Sequence, residues 1–518
     1  MARKWITNKL PLAAVCVMLV IAGCGGGASQ GGGSGASGSP GGGSAGSSSS
    51  GSGQSQTQTS GGERVKLKIY VPSNVEEFGP NENVNKNRIY DYLNEVTGYD
   101  IEWEIAPREG ADQKINIMMA SGDTPDLIVT PTKSIFTNLA QQGLLAPLND
   151  AVREADRIMA EVTQEAWDAV TFNGNIYAVP VPQNQVSTSG LMIRKDWLKE
   201  LGLAEPKTLD EYYNVMKAFK DKGAIPLTGG AADGNGNALG YLEAFAGAFG
   251  MASPYIVEGG EVIHTYIQPK AKEFLAFMNK LYAEGLLDRE YPVNKLANIQ
   301  EKMVGGQAGM TTIGWANAKG MVESFLEKEP NGDMGYIHPP VGPDGDWGFV
   351  KHQPVRTYLM VPRFSTKVRE VIDFINKYMD PEVLTTVSYG WEGEHYVREN
   401  GQIVQLEKME EIRYRIYYRL WDTVEDFNNR VRFSGFTPYY DPIKEHARVE
   451  NILDFAPPLA AVDQNAQTLN DLRNEYFVKI ITGALPLDAF DEYVSKWWAS
   501  GGTETMEAIR EWYAGFKK

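Results

Sequence analysis

Apolar and polar residues alternate from Val65 to Val71, the period of two that sends successive side chains to opposite faces of a β-strand. The spacing then lengthens: Ile89, Tyr90, Leu93 and Val96 recur at helical intervals, and Tyr99 to Ile105 alternates again. A second helix is predicted over Ala111–Ala120, followed by the turn Ser121-Gly-Asp-Thr-Pro125, an apolar strand over Asp126–Val129 and a helix near Ile135–Gln142. Strand and helix thus alternate three times. Such a series predicts an α/β fold with mostly parallel sheets flanked by helices, whose ligand sites lie beyond the carboxyl ends of the strands.

Further along, Phe172-Asn-Gly-Asn-Ile-Tyr177 is a hairpin signal, since Asn-Gly supplies the positive φ angles of a type I′ turn. Leu191–Ile193 reads as a short strand. Thr208 and Glu211 have the spacing of a capping box, opening a helix whose apolar face is Tyr212, Val215, Met216 and Phe219. Phe274, Phe277, Met278, Leu281 and Tyr282 form a similar face, and Thr366 is placed to cap a helix carrying Val371, Ile372, Ile375 and Met379. All of these stripes read as core packing. Strand candidates continue at Met310–Ile313 and Thr357–Val361, which fits two lobes joined by crossing strands.

The first residues have their own character. Arg3, Lys4 and Lys9 precede a mostly apolar run from Leu10 to Ala22, too short for a typical membrane span of about 20 residues. The run ends in Leu19-Val-Ile-Ala-Gly-Cys24, which resembles a bacterial lipobox; that resemblance implies cleavage before Cys24 and a lipid on its sulfur. The only other cysteine is Cys16, inside the signal, so the folded body has neither a disulfide nor a thiolate metal site. From Gly25 to Gly62 the chain is uncharged and dominated by Gly and Ser, which reads as a flexible tether. The expected organisation is a signal peptide at 1–23, the lipidated Cys24 with its tether at 24–62, an N-terminal lobe beginning at 63–185, a C-terminal lobe beginning at 186–355, and returning strands and helices over 356–518.

Composition narrows the function. About 456 residues beyond the tether suffice for two or three lobes. A net charge of −17 with no Lys/Arg-dense stripe argues against nucleic-acid binding. No zinc-protease, P-loop or spaced-histidine pattern is present, and no cofactor is expected.

Several segments together carry a resemblance: Ser121-Gly-Asp-Thr-Pro-Asp-Leu-Ile128, Gln142-Gly-Leu-Leu-Ala-Pro-Leu-Asn149, Asn173-Gly-Asn-Ile-Tyr-Ala-Val-Pro180, Ile193-Arg-Lys-Asp-Trp-Leu-Lys-Glu-Leu-Gly202, Lys207-Thr-Leu-Asp-Glu211 and Tyr389-Gly-Trp-Glu-Gly-Glu-His-Tyr396. In order and spacing they resemble extracellular solute-binding proteins of family 1, more narrowly the lipoprotein LipO-like subgroup. The resemblance implies a two-lobed type II periplasmic-binding-protein fold that closes on an oligosaccharide and delivers it to the permease subunits of an ABC importer. It also implies a lipid-anchored monomer at the membrane's outer face. One departure is visible. Relatives often carry a calcium loop before an Ile-Pro-Leu-Thr segment, whereas here Lys220-Asp-Lys-Gly-Ala224 runs directly into Ile225. The nearby Asp233-Gly-Asn-Gly-Asn237 has Ala238 at the glycine position and Ala244 at the glutamate position of a calcium loop, so no metal is expected.

A sugar pocket needs flat aromatic faces and planar amides or carboxylates. Trp391, Glu392, Glu394 and Tyr396 supply both within six residues, Trp315 and Asn317 form a second cluster, Gln183 and Asn184 fall near the expected interlobe crossing, and Trp347 sits in a Gly/Asp turn. His395 reads as a structural, hydrogen-bonded residue. Arg194, Arg356 and Lys351 are candidate partners for an acidic sugar, and neutral and acidic ligands both remain open. Glu392 and Glu394 also admit a glycosidase reading. A peptide-binding lipoprotein is the other alternative.

Overall fold

The computed structural model describes residues 64–73, 77–231, 239–457 and 459–516. The expectations for the signal peptide, Cys24, the tether and the Asp233–Asn237 stretch lie outside the described residues.

The strands that build the two main sheets and their junction are β1 (Lys66–Ser73), β2 (Asp100–Pro107), β3 (Leu127–Thr130), β4 (Val179–Pro182), β5 (Ser189–Arg194), β6 (Ile225–Leu227), β7 (Ala308–Gly314), β8 (Met334–Ile337), β9 (Phe349–Val350), β10 (Val355–Met360) and β11 (Ala447–Val449). One sheet has the order β2-β1-β3-β10-β4 and the other β8-β5-β7-β6. The alternating segments read from the sequence form β1, β2 and β3 with the helices Arg88–Thr97, Ala111–Ser121 and Lys133–Gln141.

Pairing is parallel between β1 and both β2 and β3, from Lys66 opposite Asp100 to Ser73 opposite Pro107. The remaining pairs depart from the mostly parallel expectation: β10 is antiparallel to β3 and β4, and β5 is antiparallel to β7 and β8, leaving β6 and β7 as the one parallel pair of the second sheet. The crossing of the chain explains this. β1, β3 and β4 run toward the junction between the sheets, as do β6, β7 and β8, whereas β5 and β10 enter at the junction and run away from it. A strand that leaves the junction lies antiparallel to those arriving.

Each sheet has its own core, so the protein is two-lobed. Buried residues of the first come from Leu67 to Val181 and again from Val355 to Trp421. Those of the second form two adjoining clusters drawn from Leu191 to Phe349 and from Phe427 to Ile509. The predicted helix faces lie in these cores: Tyr212, Val215, Met216 and Phe219 are buried on Leu209–Asp221, and Phe274, Met278 and Leu281 on Pro269–Ala283. Thr208 and Glu211 make the reciprocal capping box. Asn173 at φ 51° and Gly174 at φ 75° form the turn between Thr171–Phe172 and Asn175–Ile176, as a type I′ hairpin requires. Thr366 does not cap its helix. The helix starts at Val368, and the turn before it is held by the Lys367 amide donating to Ser365 Oγ at 3.2 Å.

Candidate ligand site between the lobes

Three stretches of chain pass between the lobes. Residues 183–188 link β4 to β5, residues 351–354 link β9 to β10, and the segment after Trp421 leaves the first core and enters the second. Backbone hydrogen bonds tie them together: Gln183 N to Pro354 O (2.9 Å), His352 N to Val186 O (3.1 Å) and Lys351 N to Val449 O (2.8 Å). Gln183 and Asn184 both lie on the first crossing. The Gln183 amide contacts His352 Nδ1 at 3.4 Å, and Asn184 Nδ2 donates to the Asp422 carbonyl at 2.6 Å.

Trp315 follows β7 directly, its amide donating to Thr188 O on the crossing strand at 3.2 Å. Phe427, Phe436 and Tyr440 meet its ring edge to face, at 6.4, 5.1 and 5.3 Å. Among the described residues no ring stacks flat on Trp315 and no cation covers it. Asn317 is exposed two residues further along the same helix. Trp347 lies against the His338 ring at 4.2 Å, and the Arg448 guanidinium sits 4.2 Å from its ring centre. Arg448 belongs to β11, which pairs with β9 beside the crossing.

The Trp391 cluster is set differently. Trp391 packs against the first core, Arg88 lies 3.6 Å over its ring and Tyr92 meets it edge-on at 6.0 Å. Glu394 pairs with the same Arg88 at 2.7 Å, and that arginine holds its carboxyl below the usual carboxylate range. Glu392 is exposed and lies 3.9 Å from Arg398. His395 is buried and accepts from the Trp391 amide at 3.3 Å, and burial lowers its pKa. Tyr396 is buried beside Tyr389. These residues share one surface of the first lobe, whereas Trp315, Asn317 and Trp347 belong to the second.

The arginines and lysine considered for an acidic ligand separate. Arg194 is buried between Trp197 and Phe325 and pairs with Asp196 and Glu329, both at 2.7 Å, so it is a structural cation of the second lobe. Lys351 pairs with Glu450 at 3.0 Å. Arg356 stands at the junction end of β10 and donates to Asp422 at 2.6 Å. Asp422 is almost fully buried, and Arg430 grips it with both terminal nitrogens. Burial pulls Arg356 below the usual arginine range; Asp422 opposes this, and the charges of Arg430, Arg419 and Arg108 add to it. Burial, then the neighbouring Arg430, lowers Arg419 in the same way.

Sequence reading missed Arg108, Arg419, Asp422 and Arg430. One signal was present. Arg413-Tyr-Arg-Ile-Tyr-Tyr-Arg-Leu-Trp-Asp422 interleaves arginine with aromatic residues and ends on the buried aspartate.

Two lobes, each with its own sheet, with polar and aromatic side chains gathered at the strands that join them, are the architecture of the two-lobed solute-binding proteins. The family model for bacterial extracellular solute-binding proteins matches residues 79–384, and the chain belongs to that family. It is similar to Lipoprotein LipO of Bacillus subtilis (26% identical, over 88% of this chain and 94% of that one). It is also similar to the polygalacturonan/rhamnogalacturonan-binding protein YtcQ of the same organism (23% identical, over 82% and 88%). Among solved structures, the HMO-binding ABC-transporter-associated solute-binding protein of Bifidobacterium longum infantis shares the fold, with a TM-score of 0.70 at 16% identity over 88% of this chain and 100% of that one.

Proposed function

We propose that this protein captures an oligosaccharide between its lobes and passes it to the permease subunits of an ABC importer. The observation that carries the reading is the position of Trp315. Its amide donates to Thr188 O on the crossing strand, its neighbour Tyr440 accepts from the Val186 amide of the same strand, and its ring is free of any stacked side chain among the described residues. An aromatic face with amides at its margin suits the apolar side and the hydroxyls of a pyranose. The family membership and the polysaccharide named for YtcQ support it.

In this reading Trp315, Asn317 and Trp347 form the second-lobe wall, while Gln183 and Asn184 line the base. Trp391, Glu392, Glu394 and Tyr396 brace the first lobe, since Arg88 already occupies the Trp391 face. One lobe comprises residues 63–185 with 356–422, the other 186–355 with the remainder. The protein works as a monomer held at the outer face of the membrane by lipid on Cys24, and it carries out no chemistry on its ligand.

Ligand that bridges both lobes favours the closed arrangement and shifts the population toward it. Calorimetry against a panel of neutral and acidic oligosaccharides identifies a binder, and small-angle scattering at saturation is expected to show a smaller radius of gyration. Failure of every oligosaccharide, or binding with an unchanged radius, would overturn respectively the ligand class and the closure.

A further inference from the structure

We infer that Arg108, Arg356 and Arg419, gathered round the Asp422–Arg430 pair at the base of the interlobe space, form a site for the carboxylate of a uronic-acid unit. This rests on the oligosaccharide-binding reading and specifies its ligand as acidic.

The charges at this place do not balance. Both Asp422 oxygens are engaged by Arg430, and Arg356 shares one of them. The Asp426 carboxylate is committed to capping its helix, accepting from the Thr423 amide and hydroxyl. Among the described residues the guanidiniums of Arg108 and Arg419 have neither a hydrogen-bond nor an ion-pair partner. Four arginines therefore face two carboxylates already in use, within a chain of net charge −17. Arg419 is half-buried, and a guanidinium withdrawn from water without a counter-charge is costly; an anionic ligand entering from solvent relieves that cost, while the exposed Arg108 adds positive charge near Arg356. Arg356 and Arg430 keep about a third of their side-chain surface exposed, 33% and 30%, while Asp422 keeps 1%, so the arginines and not the aspartate reach solvent.

The planar fork of arginine matches a carboxylate with two parallel hydrogen bonds. The surroundings suit a sugar acid rather than a bare inorganic anion. The Arg430 guanidinium lies 5.7 Å from the Phe427 ring, which Trp315 of the same lobe meets edge-on at 6.4 Å. A ring stacked on Trp315 would thus have its carboxylate close to the cluster.

The test is calorimetry of the full mature chain with short oligomers of galacturonate, guluronate, mannuronate and glucuronate, their methyl esters, and a set of neutral oligosaccharides. At least one uronate oligomer is expected to bind, to weaken with added salt, and to lose about tenfold or more in affinity on esterification, the loss expected for a charge-assisted contact. Arg419→Gln is expected to weaken the acid by a similar factor and to leave the ester unaffected. Arg108→Gln, at an exposed position where folding is not at issue, should give a smaller loss in the same direction. Esters that bind as tightly as acids, or acid affinity unchanged in both variants, would overturn the carboxylate site. Binding of neutral sugars alone would overturn it while leaving the oligosaccharide reading intact, and no binding by any sugar would overturn both.

Discussion

Arg430 holds the Asp422 carboxylate with both terminal nitrogens, one of them at 2.7 Å, and so fastens the helix Val424–Phe433 to the segment on which the first core ends. Phe427 and Val431 of that helix are buried in the second lobe, while Asn429 donates to Tyr389 Oη of the first at 3.0 Å. Arg356 adds a third tie from β10. The ion pair is therefore a structural pin where the lobes meet.

Replacing Asp422 by Asn removes the one buried charge that compensates two half-buried arginines. Breaking a buried pair from one side costs about 3–5 kcal/mol. Urea unfolding of Asp422→Asn should show a loss of that order, and a loss well under 1 kcal/mol would mean that the arginines are solvated and the pin carries little.

The two tryptophans should part company. Trp315→Ala is expected to weaken oligosaccharide binding by about 1–3 kcal/mol through loss of an aromatic contact. Trp391→Ala removes the platform under Arg88 and a ring packed on the first core, so it should lower ligand-free stability by about 1–3 kcal/mol with affinity nearly unchanged. Affinity and ligand-free melting, measured on both variants, separate the roles; a specific affinity loss in Trp391→Ala would return it to the pocket.

The elements legible in the sequence were those with a local cause. Alternation marked β1 and β2, Asn173-Gly174 marked a hairpin, and Thr208 with Glu211 marked a helix start. The strand directions of the second sheet were not legible, because they follow from where the chain crosses between lobes, a long-range property that no window of residues contains. The same holds for the site. Trp315 and Gln183 announced themselves by residue type, but the Arg88 cover on Trp391 joins positions 303 residues apart in a chain that gives no local hint of their meeting. Arg194 and Arg356 are alike in sequence, and only burial with Asp196 and Glu329 makes one a core cation while the other faces the junction.

Membrane attachment is expected to depend on Cys24, the only cysteine beyond the N-terminal apolar run Leu10–Ala22. Cys24→Ser should shift the protein from the membrane fraction to the medium or leave it unprocessed. Retention at the wild-type level, measured by fractionation and by metabolic labelling with a fatty acid, would count against the anchor.

A pH dependence is expected at the contact between Lys133 and the segment before the helix Ala460–Ile481. Lys133 Nζ donates to the carbonyls of Leu453 at 2.7 Å and Asp454 at 3.2 Å. Burial pushes the Asp454 carboxyl up to about 6, with Lys133 and a hydrogen bond from Asn451 pulling back, and burial also raises Asp463. A carboxyl raised in the folded state binds its proton more tightly there than in the unfolded chain. Its favourable contribution is complete below the ordinary carboxylate pKa and is lost as pH rises through about 6. Asp454→Asn keeps an acceptor for Asn451 but cannot ionise. The variant should therefore melt close to the wild type near pH 4 and above it at pH 7, by an amount equivalent to at most about 2 kcal/mol after allowance for solvent screening. Melting curves of both proteins across pH 4–7 give the difference directly, and a constant difference over that range would mean that Asp454 titrates as an ordinary surface carboxylate.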